Sequence, residues 1–420
     1  MNHTRFLETA DAIGARLCRD AIWAGDRCNW LGDSMEFAES RWQVAHRSFG
    51  PELYNGTAGI GMFMAQLYSL TQDKIVKKTA EGAIRCALAQ LNAMSPENFG
   101  FYSGRTGVAF VLVETATLLR NEQFRSQGLE ILRTVPGGNI SMQTWDVISG
   151  SAGVIPVLLR LQEHFGQDFL LDLALRHGEM LLESANRSEE GWSWKTIQVD
   201  GQKDLTGFSH GTAGIAWSLL ELHTRFKEER FLQAALGALN YERRWYNREQ
   251  ENWPDFRSLA PETGTPVYAM AWCHGAPGIG LSRVRVFQIL KDKDCRAEAE
   301  AATRSTTRAL HAAVQTGQGN YSLCHGNLGN AELLISAQEV LDDEKSMQTV
   351  LHLAEEAAAK YRTTRTPWPC GVLNGGETPN LMLGLAGIGY FYLRLYDPKR
   401  VPSILLVGPQ NNIQQPAISN

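Results

Sequence analysis

Two short segments carry the same chemistry at the same place. "AWCHGAPGIG" at 271–280 and "SLCHGNLGNA" at 322–331 each set a Cys-His-Gly triplet before a turn of small residues. Thiolate and imidazole are the preferred donors for zinc, and two Cys with one His leave a fourth position for water or substrate. Four protein ligands would close the site and make it structural. Two more polar residues fall near similar turns: Asp146 in "TWDVISGSAG" and His210 in "GFSHGTAG". Histidine is the natural acid or base near neutral pH, and a carboxylate can orient or charge a neighbouring imidazole. Each also has a structural reading, Asp146 as a helix N-cap and His210 as a loop residue capping the next helix.

These residues must be positioned by the elements around them, and those elements repeat. Gly, two residues, Gly, then an apolar helical run occurs seven times: at 56–59, 104–107, 150–153, 211–214, 275–278, 326–329 and 384–387. The first glycines lie 48, 46, 61, 64, 51 and 58 residues apart, room for two helices and two connections. After the first phrase Ile60, Phe63, Met64 and Leu67 recur at helical spacing, and Ile388, Phe391, Tyr392 and Leu395 do so after the last. Intervening segments such as "KTAEGAIRCALAQL" and "AEAEAATRSTTRALHAAV" have the mixture of Ala and charge expected of helices with one wet face. Strand signals are sparse; "WSWKTIQVDG" at 192–201 is the best candidate for a short hairpin.

The pattern predicts an all-α chain. Seven helix pairs would close into one α/α toroid spanning 1–420, with the GxxG turns at the starts of the inner helices. In a ring, equivalent positions of adjacent repeats are neighbours, so Cys273 and Cys324, each two residues before its glycine, would converge. The connections at 185–209 and 241–272 would line part of the mouth. The other cysteines, Cys18, Cys28, Cys86, Cys295 and Cys370, read as buried small hydrophobes.

Composition removes several function classes. Charged residues are 20% and apolar residues 44%, ordinary for a globular protein, and the net charge of -5 argues against nucleic acid as the partner. There is no apolar signal core and no apolar run long enough for a bilayer, so a cytoplasmic location is expected. Seven cysteines spread through the chain suit reduced thiols or metal ligands better than disulfides.

At this level of detail the chain resembles the lanthionine synthetase cyclases, most of all the C-terminal half of the type II lanthipeptide synthetases. The resemblance is carried by "LYNGTAGIGMFMAQL", "WDVISGSAGV", "GFSHGTAGIAWSL", "WCHGAPGIGLSR", "LCHGNLGNAELL" and "TPNLMLGLAGIGYFYLRLYDP". It implies an α/α toroid around a zinc ion, with Cys273, Cys324 and His325 as the ligands. It implies addition of a peptide Cys thiol to dehydroalanine or dehydrobutyrine in a dehydrated precursor, giving a thioether ring. His210 and Asp146 match residues assigned to proton transfer and its support. His274, which follows the first Cys as in type II enzymes, would hydrogen-bond the enolate or act as a second acid. Stand-alone relatives carry Arg where this chain has Ala269; Arg283 follows on the next helix. Type II enzymes also carry a dehydratase domain, so the resemblance implies either a separate dehydratase partner or an excised domain. The competing readings are a non-catalytic zinc toroid holding a thiol peptide or a glutathione-like ligand, and a carbohydrate enzyme. The latter needs two flanking carboxylates, and the turns offer Asp146 without a clear second.

Overall fold

The computed structural model describes residues 4–38, 41–137, 144–197, 202–259, 264–364 and 366–409. Seven helices begin at the GxxG phrases: α2 (Thr57–Thr71), α4 (Arg105–Leu119), α6 (Ser151–Phe165), α8 (Thr212–Phe226), α10 (Ala276–Leu290), α12 (Asn327–Leu341) and α14 (Leu385–Tyr396). Their first three turns are buried all round, as in Thr57–Leu67 and Leu385–Leu395. A helix without a wet face belongs inside. Packing confirms it, because α2 contacts α4, α4 contacts α6, and so on through α14, which returns to α2.

An outer layer covers this ring: α3 (Lys74–Gln90), α5 (Glu122–Arg133), α7 (Phe169–Glu183), α9 (Glu229–Arg244), α11 (Lys293–Thr316) and α13 (Glu344–Ala357). Each follows its inner helix after a short reversal. Six inner helices stop after 15 residues at a left-handed residue: Gln72, Arg120, Gly166, Lys227, Lys291 and Asp342. Side-chain caps from Asp73, Asn121, Asp292 and Asp343 then start four of the outer helices. The seventh pair is made differently. The partner of α14 is the N-terminal helix α1 (Thr4–Asp20), so the two ends of the chain close the ring. After α14 the chain turns inward. Val401, Ile404, Leu405 and Val407 are buried, and the Tyr102 hydroxyl and Trp272 Nε1 donate to the carbonyls of Ile404 and Leu405.

The second glycine of each phrase has one steric purpose. At Gly59, Gly107, Gly153, Gly214, Gly278, Gly329 and Gly387 a Cβ would collide with the carbonyl oxygen six residues upstream. The helix start therefore rests directly on the loop that precedes it, and only glycine allows that approach. Gly275 adds a positive φ of 99°.

Four antiparallel hairpins decorate the toroid: β1 (Ile22–Ala24) with β2 (Arg27–Asn29), β3 (Leu31–Ala38) with β4 (Arg41–Ser48), β5 (Asn186–Ser188) with β6 (Gly191–Ser193), and β7 (Asp255–Leu259) with β8 (Pro266–Val267). The hairpin expected at 192–201 thus lies earlier, at 186–193, and 198–201 fall outside the described residues. Among the described residues no helix is long and apolar enough to cross a membrane.

Candidate metal centre and active site

The loops before the inner helices are joined edge to edge. Amide hydrogen bonds run Tyr54 to Tyr102, Tyr102 to Ile148, Val147 to Ser209, Ser209 to Cys273, Cys273 to Cys324, Cys324 to Met382, and Met382 back to Tyr54, at 2.8–3.2 Å. Every acceptor in this closed circuit stands two residues before its glycine. The circuit satisfies one amide per repeat in a buried place and fixes neighbouring repeats in register. Cys273 and Cys324 are consecutive links of it.

That register brings the metal-type donors together. One donor atom each from Cys273, Cys324 and His325 lie within 4.8 Å of one another, and among the described residues no other His/Cys/Asp/Glu group does so. His325 Nε2 lies 2.8 Å from the Gly371 carbonyl. Donation there places the proton on Nε2 and leaves Nδ1 as the donor atom, the usual arrangement behind a metal-ligating histidine. The thiols of Cys273 and Cys324 face each other within 4.8 Å. That contact, against burial and with the help of the Arg257 and His210 charges, holds Cys273 below the usual thiol range. The same contact, with burial, pushes Cys324 well above it. Tyr54, half-buried, lines the cavity with Cys324. Two thiols, one of them already acidic, and one imidazole of fixed tautomer fit a zinc ion.

The donors open into a cavity of about 340 Å³ lined by Tyr54, Ile148, Ser209, His210, Arg257 and Ala269 among others. His210 Nδ1 meets Asp146 Oδ2 at 2.6 Å, and its ring is partly exposed to the cavity. Burial disfavours the imidazolium, but the charge and hydrogen bond of Asp146 more than offset it, so the His210 pKa is raised. Asp146 Oδ1 also accepts the Ser149 amide at 2.7 Å and holds the turn before α6, whose N-cap is Gly150 and not Asp146.

His274 is placed otherwise. It is 1% exposed yet lines the cavity, neither ring nitrogen has a hydrogen-bond partner, Nδ1 stands 3.9 Å from Asp255 Oδ1, and the ring stacks on His210 with centroids 5.8 Å apart. Burial, with the Arg257 charge, drives its pKa down to about 3. It stands on the cavity wall beside His210 as a neutral ring. Arg283 does not reach the site; it is fully buried and pairs with Glu298 on α11.

Tyr54 and Arg257 are among the lining residues that the sequence reading did not single out. Tyr54 had a signal, because it holds the same register before Gly56 that Cys273 and Cys324 hold before theirs. Arg257 had none; it sits on β7, outside any repeat.

Fold and site together define an α/α toroid with a Cys₂His donor set on its axis. The chain matches the profile of the family "Lanthionine synthetase C-like protein" over residues 48–406, and it belongs to that family. It is 23% identical over 396 residues to the lacticin 481/lactococcin biosynthesis protein LcnDR2 of Lactococcus lactis subsp. lactis, covering 91% of this chain and 39% of that protein. It is 24% identical to the nisin biosynthesis protein NisC of the same organism, covering 70% of this chain and 75% of the relative. To the protein named glutathione S-transferase LANCL1 of Danio rerio it is 21% identical, covering 83% and 82%. Among solved structures, nisin cyclase superposes with a TM-score of 0.66 at 18% identity over 84% of this chain and 91% of that one. A GH76 α-mannanase of Bacteroides thetaiotaomicron gives 0.52 at 12% identity, covering 96% and 97%, which reflects the shared toroid alone.

Proposed function

We propose that this chain is a zinc-dependent lanthipeptide cyclase. It adds a peptide Cys thiol to dehydroalanine or dehydrobutyrine and closes a (methyl)lanthionine ring. The observation that carries this reading is a single cavity holding both the Cys273/Cys324/His325 donor set and the His210–Asp146 pair. The curated relatives named for lacticin and nisin biosynthesis support it.

A zinc ion held by Cys273, Cys324 and His325 supplies a Lewis acid that keeps a peptide thiol ionised near neutral pH. The residues of the chain do the rest. In the addition an S–Cβ bond forms, the alkene π bond breaks, and the thiol proton is replaced by one on Cα. His210, facing the cavity, receives the thiol proton and returns one to Cα. Asp146 holds the ring in place and stabilises its charged form, as a carboxylate does behind a catalytic imidazole. Atoms balance, so product and substrate are isomers. The dehydration that precedes this step belongs to a separate activity. A dehydrated peptide with a free Cys should lose its thiol at unchanged mass when incubated with the protein. A constant thiol titre with a cognate precursor would refute the reading.

The relative named for glutathione transfer favours a second reading, in which the same centre holds a small thiol without cyclising it. His210→Ala separates the two: a holder of thiols loses little, whereas a cyclase slows by about 10²–10⁴-fold.

A further inference from the structure

The addition gathers negative charge on the carbonyl oxygen of the dehydro residue as the enolate forms. A catalyst gains most by aiming a fixed donor at that oxygen. The axial backbone offers none, because the Tyr54, Tyr102, Val147, Ser209, Cys273, Cys324 and Met382 amides are all bound within the circuit. The Tyr54 and Ser209 hydroxyls and the His274 ring line the cavity, but they are neutral donors and weaker toward a developing charge than a guanidinium. His210 is engaged with Asp146. Ala269, on the cavity wall, brings only a methyl group.

Arg257 brings a permanent cation to the cavity wall, and its placement is specific. Its Nε lies 3.0 Å and its Nη2 2.7 Å from the Asp255 carboxylate, whose residue is only 5% exposed. The Asp255 carboxylate also accepts the Arg257 amide at 3.0 Å. This fork fixes the guanidinium plane on the cavity wall. Nη1 has no partner among the described residues, and Arg257 lines the same cavity as Cys273, Cys324, His325 and His210. A buried carboxylate holding Nε and Nη2 of an arginine that lines a cavity preorganises the remaining donor, Nη1, for an oxyanion.

We propose that Arg257 is a catalytic residue of this site, its Nη1 donating to the carbonyl oxygen of the dehydro residue and stabilising the enolate, with Asp255 as its positioning residue. The role rests on the cyclase reading. It explains how the chain functions with Ala269 where stand-alone relatives carry Arg: a cation reaches the site from the β7–β8 arm.

The test uses the full chain loaded with zinc and a synthetic peptide containing one dehydroalanine and one Cys. Arg257→Ala should lower kcat by about 10²–10³-fold while KM stays within about threefold. Zinc content should be unchanged. Arg257→Lys should fall between the two, and millimolar guanidinium should restore part of the Arg257→Ala rate but none of the His210→Ala rate. An unchanged kcat, a loss confined to KM, or loss of zinc in Arg257→Ala would each overturn the role. If the wild-type protein holds zinc and fails to cyclise the probe, the cyclase reading itself falls, and this role falls with it.

Discussion

Replacing Asp146 with Asn isolates the charge behind His210 without disturbing the turn. The Asn side-chain oxygen can still accept the Ser149 amide, which Asp146 now accepts at 2.7 Å. What is lost is the negative partner 2.6 Å from His210 Nδ1, in a place where the carboxylate side chain is 8% exposed. A hydrogen bond to a charged group is worth about 1.5–3 kcal/mol. Losing it lowers the imidazolium population at a fixed pH by about 10–150-fold. The sign follows from the environment. With Asp146 present the His210 pKa is raised, so its charged form persists to higher pH than that of a free imidazole and fades as pH climbs through the raised value. Without Asp146, burial and the Arg257 charge both oppose protonation, and the charged form survives only at lower pH. The neutral tautomer also inverts, because an Asn amide donates to Nδ1 and leaves the proton on Nε2. Histidine-resolved NMR titration of wild type and Asp146→Asn measures the first effect, and the pH profile of cyclisation measures its consequence. The expected result is a His210 midpoint moved to lower pH and a rate loss that deepens toward alkaline pH. An unmoved midpoint, or a loss equal at every pH, would refute the charge argument.

Other parts of the structure give sharper single changes. Tyr54→Phe removes a hydroxyl from the cavity wall shared with Cys324 and should weaken zinc binding by about 10–100-fold in a chelator competition, with the fold intact. Gly278→Ala drives a methyl into the Trp272 carbonyl beneath Cys273; it should cost about 2–4 kcal/mol of stability by denaturant titration, whereas Gly376→Ala, whose Cβ meets only Asp33 at 3.6 Å, should be near neutral. Ending the chain after Asp397 removes the buried Val401, Ile404, Leu405 and Val407, each worth about 1.5–3 kcal/mol when fully buried. The shortened protein should melt far below the full chain or fail to fold.

The repeat was legible because it is local: a GxxG phrase and an apolar helix recur in every unit, and steric contact at the second glycine forces the repetition. The Cys273/Cys324 register was legible for the same reason. It even held a signal for Tyr54, which chemistry alone did not single out because a tyrosine beside apolar residues reads as core. Arg257 was not legible. It belongs to an arm that no repeat predicts, and its partner Asp255 is shared with no motif. The pairing of α1 with α14 joins the chain's two ends, and a periodic pattern carries no information about such closure. Arg283 is near Ala269 in sequence, but helix α10 turns that side chain outward to Glu298 on α11. Sequence proximity did not specify direction.

The central claim is that equivalent positions in successive repeats build a zinc centre. Metal analysis of the purified protein beside Cys273→Ala and Cys324→Ala tests it most directly, with circular dichroism to establish that all three are folded. The account predicts about one zinc per chain in the wild type and its loss in both folded variants. A wild-type protein that binds no zinc when supplied with it, or folded variants that retain the full complement, would contradict it.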